Sequence, residues 1–267
     1  MIREPAVAGA FYPAGAARLA STVDRLLSAG GATTPAPALG LLAPHAGYVY
    51  SGAVAGVTYA RAALPGRVIV LGPNHTGLGF ARAALSPAAA WRTPLGEVPR
   101  DETVCQALAG APGVDLDAAA HAREHSLEVQ LPFLQRTRPE LQLAGLCLAH
   151  LSYPECERLA GAVAAAAGHA GALLIASSDM SHYLPAEEAR AADQRALEPL
   201  LKLDADGLYR RVHEEKISMC GVVPAVIMLL AARELGARSA ELVRYAHSGE
   251  VNGEDEQVVG YAGVLVR

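Results

Sequence analysis

Three times along this chain a short, largely apolar run leads at once into a polar turn bearing a histidine, and this repetition restricts the fold more than any other feature. Leu39–Ala43 (LGLLA) runs into Pro44-His45-Ala46-Gly47. Arg67–Leu71 (RVIVL) runs into Gly72-Pro73-Asn74-His75, and Leu173–Ser177 (LLIAS) into Ser178-Asp179-Met180-Ser181-His182. Apolar runs this short, bounded by Gly, Pro and Asp, read as buried strands rather than helices. Strands apolar on both faces belong in a sheet covered by helices on both sides.

Helices fit between them. Ser51 is a plausible N-cap for Ala53–Ala63, and Asp101 can cap a helix through Leu108. Ser126–Arg136 reads as helical with Pro132 near its start, as do Pro154–Ala167 and most of Pro185–Leu235. Leu141–Leu148 adds a strand. Ala81–Leu85 and Trp91–Val98 are weaker strand candidates, the second turning at Pro94-Leu95-Gly96. Glu241–Ala246 and Gln257–Val266 flank a loop, Ser248–Glu256, too short for a helical crossover. They are therefore expected to run antiparallel, making the sheet mixed but mostly parallel. The sequence has no internal repeat, and its loosest stretch, Gly30–Pro37, is loop-length, so 1–267 is expected to be one α/β domain.

More than half of the 267 residues are hydrophobic, which argues against long disorder, and the net charge of −5 provides no footprint for nucleic acid. The opening MIREPAVAGAFYPAG lacks the pattern of a secretory leader. The apolar stretches Leu159–Ala167 and Val222–Ala232 are too short to span a membrane. Cys105, Cys147, Cys156 and Cys220 form no C-x-x-C pair and suggest no disulfide framework. These features predict a cytoplasmic protein with neither nucleic acid nor membrane as partner.

Ligands of open α/β sheets bind outside the carboxyl ends of the strands. Parallel strands would thus gather His45, His75 and His182 at one edge, and convergent imidazoles suit iron, copper, zinc or nickel. Each histidine alone would serve as a polar strand end; three at equivalent places favour a metal site. Cys220 precedes the apolar helix Val222–Leu235, where a helix N-terminus should lower its thiol pKa and make it a further ligand. Cys105, Cys147 and Cys156 lie inside elements and read as core. Asp179 has two readings: it accepts the second ring N–H of His182, or it caps a following helix.

His121 and His125 would be one turn apart if helical and could chelate zinc. Ser126 as an N-cap, with Glu128 in the first turn, places His125 ahead of the helix instead. His125 and Glu128 then support the site or bind substrate. His150, His169, His213 and His247 have no comparable context. There is no G-x-S-x-G elbow, Walker A loop or G-x-G-x-x-G.

Taken together, several motifs resemble the Memo family, also called protein B of the AmmeMemoRadiSam system. They are Pro5–Pro13 (PAVAGAFYP), Ala43–Tyr48 (APHAGY), Gly72–His75 (GPNH), Glu124–Glu128 (EHSLE), Ser177–Tyr183 (SSDMSHY) and Cys220-Gly221, in consistent order from Ala6 to Val264. The resemblance implies a three-layer α/β/α sandwich similar to the catalytic subunit of class III extradiol dioxygenases, which hold non-haem Fe(II) with two histidines and a glutamate. His45 and His75 match those histidines, His182 matches the separate catalytic histidine in chain order, and Cys220 stands where the glutamate is expected.

A thiolate there makes the site softer and favours copper, zinc or a shifted redox potential over oxygen-activating Fe(II). The expected metal set is His45, His75, His182 and Cys220, holding iron or copper, with zinc also open. His182 and Asp179 are the catalytic candidates, and Tyr48, Asn74, His125 and Glu128 the substrate-binding ones. Family members are described as metal-binding redox proteins. Eukaryotic ones act as adaptors for phosphotyrosine peptides, and bacterial ones are linked to a radical-SAM protein. The function expected is a redox-active metal oxidoreductase on an unnamed substrate. The alternatives are a non-catalytic module binding a peptide or small anion in the same cleft, and metal-assisted hydrolysis.

Overall fold

The computed structural model describes residues 1–31 and 34–267; part of the expected Gly30–Pro37 loop therefore lies outside the described residues. The chain begins with β1 (Ile2–Arg3), α1 (Ala16–Ser28) and β2 (Gly40–Ala43), then α2 (Gly52–Arg61) and β3 (Arg67–Pro73). Short strands β4 (Ala83–Leu85), β5 (Ala90–Thr93) and β6 (Gly96–Pro99) come next. The Asp101 carboxylate accepts from Val104 N to cap α3 (Glu102–Ala109), and after β7 (Val114–Leu116) Asp117 caps α4 (Ala118–Ala122) in the same way.

A 3-10 turn over Glu128–Gln130 then leads into α5 (Leu131–Thr137), with Pro132 in its first turn. Strand β8 (Gln142–Leu148) precedes α6 (Tyr153–Ala170), which opens with a Ser152/Glu155 capping box and closes on left-handed Gly171. The chain ends with β9 (Leu173–Ser177), β10 (His182–Leu184), α7 (Ala186–Leu201), α8 (Ala205–Glu214), α9 (Val222–Glu234), β11 (Ala240–His247), α10 (Gly249–Asn252) and β12 (Val258–Val266).

Strands β2, β9, β3 and β8 lie side by side and parallel. β12 adds antiparallel to β2, and β11 folds back antiparallel on β12 as the terminal hairpin. At the far edge β4 runs antiparallel to β8 and parallel to β7. β10 also pairs antiparallel with β12. The expected mixed α/β sheet is therefore present, parallel through its centre and equally antiparallel in its flanking pairings. Along β3 the side chains alternate: Val68 and Val70 pack with α1, α2 and α5, whereas Ile69 and Leu71 pack with α3, α6 and α9. Both faces are thus covered and the architecture is three-layered.

Two local expectations change. The Trp91–Val98 turn forms a hairpin, but in a separate three-stranded sheet ordered β1-β5-β6. Ser126 is no N-cap: its hydroxyl donates to the Pro73 carbonyl at 2.9 Å and ties this loop to the end of β3. Among the described residues no helix is long and apolar enough to cross a membrane.

Candidate metal centre

Because β2, β9 and β3 are adjacent and parallel, the turns after them emerge at one edge. His45 follows β2, and His75 follows β3. A third imidazole comes from a direction that strand reading does not reveal, the loop between α4 and the 3-10 turn. This loop presses onto β3 so closely that a Cβ at Gly72 would stand 2.4 Å from Leu127 Cδ1 and 2.5 Å from Ser126 Oγ. Glycine at position 72 lets His125 come down over His75, with ring centroids 4.6 Å apart and planes 21° apart. His45 meets both rings edge-on, at 5.0 Å from His75 and 5.3 Å from His125. One donor atom from each of His45, His75 and His125 lies within 4.8 Å of the other two, so this cluster could hold a metal ion.

Glu124 organises two of the rings from behind. Its fully buried carboxylate accepts from His75 N at 2.6 Å, and from His75 Nδ1, His125 N and Ser126 N at 2.9 Å each. His125 Nδ1 is 3.4 Å from the same oxygen. A carboxylate accepts only, so His75 carries its proton on Nδ1 and keeps the Nε2 lone pair free. This is the usual outer support of a metal-binding histidine. Burial alone would raise the Glu124 carboxyl. The hydrogen bond and charge of His75, followed by the Ser126 amide and His125, outweigh it and hold the pKa at about 2. His45 titrates well below its ordinary value through burial first and then the neighbouring His125, His75 and His182. Burial likewise lowers His125 to about 4. Both rings are therefore neutral at pH 7, the form that binds metal.

Cys220 joins through His45, its Sγ 3.3 Å from His45 Nε2 and accepting from Asp179 N at 3.2 Å. Bond lengths of about 2.0 Å to nitrogen and 2.3 Å to sulfur place tetrahedral N and S donors about 3.5 Å apart, so the spacing suits His45 and Cys220 as a pair. The expected place of Cys220 in one sphere with the histidines is not met: the donors within 4.8 Å of one another are those of His45, His75 and His125, without the Cys220 sulfur. The expected lowering of its pKa is corrected. Burial, and then the Asp179 charge, push the Cys220 thiol well up, outweighing any helix N-terminus effect. A metal would have to displace that proton.

Other assignments move as well. Asp179 does not hold the His182 ring. Its Oδ1 accepts from His45 N at 2.8 Å and Ala46 N at 3.3 Å, while His182 Nδ1 donates to the Ser218 carbonyl at 2.8 Å. Nor does Asp179 cap a helix, since β10 follows. It fixes the His45 turn instead, and burial raises its carboxyl to about 6. His182 stands at the start of β10, outside the three-imidazole cluster, with Nε2 left free. Glu128 has no oxygen to offer a substrate: it is buried and accepts from Arg3, Ala6 N, Val7 N and the Tyr12 hydroxyl. The Tyr48 hydroxyl donates to the Val129 carbonyl, and Asn74 closes its own turn through Leu78 O, Gly77 N and Thr76 Oγ. The polar atoms of all three are engaged within the fold. His121 is a core residue whose Nε2 donates to the Ala84 carbonyl.

A groove of about 610 Å³ runs up to this edge between α1 and the turn after β2, lined by Phe11, Arg18, Arg25, Tyr48, Val49 and Tyr50. Phe11 packs on the His125 ring at 4.7 Å, connecting groove and histidines.

The model of the family described as Memo-like protein matches residues 3–265. A MEMO1 family protein of Aquifex aeolicus is 40% identical, covering 99% of this chain and 98% of its own length. One from Methanopyrus kandleri is 40% identical over 100% of this chain and 99% of its own, and one from Methanococcoides burtonii 39% over all of both. A solved structure of an uncharacterized protein from Escherichia coli K12 aligns with 72% of this chain and 85% of its own, at a TM-score of 0.49 and 15% identity. The chain belongs to the Memo family.

Proposed function

We propose that this Memo-family chain binds one transition metal ion, with His45, His75 and His125 as nitrogen donors and Cys220 as a sulfur donor, and carries out redox chemistry at it. One observation carries the reading. The ring Nδ1 atoms of His45 and His75 are engaged by Ser177 Oγ and Glu124, and that of His125 faces Glu124, so the Nε2 atoms of His75 and His125 are left without partners and that of His45 meets only the Cys220 sulfur. Three imidazoles and a thiol form a borderline-to-soft donor set that suits copper or iron and also accepts zinc. The two carboxylates at the site, Glu124 and Asp179, are engaged by backbone amides, which argues against a two-histidine, one-carboxylate iron site and hence against ring cleavage. Bound copper or iron would supply one-electron chemistry. The chain's own contribution would be to hold His45 and His125 neutral, to keep His182 Nε2 as a proton acceptor beside the site, and to admit substrate along the Phe11–Tyr50 groove.

Metal analysis of protein purified without oxygen, together with its optical spectrum, tests this. Stoichiometric iron or copper, lost in His45→Ala and His75→Ala, is expected. A protein that retains no metal and takes none up on titration would remove the reading. The groove favours the second reading, a module that binds a peptide or small anion, with Arg18 and Arg25 supplying positive charge. Equal binding of such a ligand by metal-free and metal-loaded protein would favour it.

A further inference from the structure

Ser177 ends β9 and is fully buried, and its hydroxyl has three partners. It donates to the Ser126 carbonyl at 2.6 Å, a group that can only accept. It accepts from Gln130 Nε2 at 2.8 Å. A hydroxyl has one hydrogen and two lone pairs. With the hydrogen committed to Ser126, the third contact, His45 Nδ1 at 2.8 Å, is one in which Ser177 accepts. His45 therefore carries its proton on Nδ1, and the lone pair lies on Nε2, facing Cys220.

The orientation of Gln130 is equally determined. Its Nε2 also donates to the Pro44 carbonyl at 3.1 Å and approaches the Ala43 carbonyl at 3.5 Å, while its Oε1 accepts from the Tyr59 hydroxyl at 2.9 Å. The reverse placement would set one carbonyl against two others. Tyr59, Gln130, Ser177 and His45 are all buried, so bulk water cannot stand in for a missing partner. The same amide grips the backbone just before His45 and, through Ser177, the ring itself.

We propose that Tyr59, Gln130 and Ser177 form a buried positioning relay that locks His45 in the Nδ1–H tautomer and so presents Nε2 to a transition metal. The proposal rests on the metal-site reading above. An unconstrained neutral imidazole shares its proton between both nitrogens, and a proton on Nε2 would block the ligand position. None of the three residues touches the ion. They act through His45, on the scale expected of outer partners of a metal ligand.

The test uses nitrogen-15-labelled histidine NMR on the metal-free protein to read the tautomer, and zinc competition titration to read affinity. Wild type should show His45 as Nδ1–H alone. Ser177→Ala should lose that tautomer and bind zinc about 10- to 100-fold more weakly. Gln130→Met removes the amide that fills one Ser177 lone pair and holds the Pro44 carbonyl, so it should loosen the His45 ring, admit some of the other tautomer and give a smaller affinity loss; it carries the test if Ser177→Ala does not fold. Ser177→Thr keeps the hydroxyl and should restore both readouts. Val163→Ala, a core truncation on the other face of the sheet, should lower stability while leaving tautomer and affinity unchanged. Retention of the Nδ1–H form and wild-type affinity in Ser177→Ala would overturn the relay, as would an equal affinity loss in Val163→Ala. A wild type that shows the lock yet binds no zinc would overturn the metal reading and leave the lock standing.

Discussion

Replacing Glu124 by glutamine is the sharpest perturbation of the proposed site that preserves shape. Glu124 Oε1 receives three hydrogen bonds and Oε2 one, all from N–H groups, and the side chain is fully buried. An amide has one oxygen. Even with that oxygen in the Oε1 position, the new NH₂ faces His75 N–H at the 2.6 Å contact and orphans it. A buried unsatisfied donor costs about 1–3 kcal/mol, and the remaining bonds fall from charge-assisted to neutral, so a total of about 2–5 kcal/mol is expected. His75 and His125 lose the anion that orders them, and metal affinity should fall about 10- to 100-fold. Urea unfolding in the presence of a chelator measures the first quantity. Zinc titration below the unfolding transition measures the second. A variant as stable as wild type and with the same affinity would refute Glu124 as the organiser of these rings.

Three further outcomes follow from the same geometry. Glu128→Ala leaves the buried Arg3 guanidinium with backbone carbonyls but no anion and releases two backbone amides, so a stability loss of about 3–5 kcal/mol is expected by thermal or urea unfolding. Cys220→Ser should weaken Cu(I) binding at least about tenfold, whereas Cys105→Ala and Cys156→Ala, deep in the core, should change stability without changing metal affinity. His182→Ala removes a half-buried ring outside the cluster. It should alter stability by less than about 1 kcal/mol while abolishing any metal-dependent oxygen consumption of the wild type, measured with an oxygen electrode.

The sheet was legible because its central strands carry their pattern locally. RVIVL and LLIAS are too short and too apolar to be anything but buried strands, and their parallel pairing places His45 and His75 at one edge. By sequence alone His125 falls outside the metal set, because Ser126 has the residue type and position of a helix cap. A cap requires the backbone N–H groups that follow to lack acceptors, and here the Ser126 hydroxyl is used across the fold, on Pro73. Glu128 and Tyr48 had the residue types of a binding site, but their partners lie more than eighty residues away in sequence and could not be read from spacing. The Asp179-x-x-His182 spacing was compatible with a pair. The turn between them instead sends the two side chains to different carbonyl and amide partners. The sequence signal for Glu124 is an acid directly before a histidine, in a loop that also carries a serine.

Anaerobic titration of the metal-free protein with Co(II), followed optically, bears most directly on the claim that these four donors form one site. Saturation at one equivalent is expected, with the strong visible bands of a low-coordinate N,S site and a sulfur-to-metal charge-transfer band. The charge-transfer band alone should vanish in Cys220→Ser, and all the bands in His45→Ala. Weak octahedral bands, unchanged in both variants, would contradict the account.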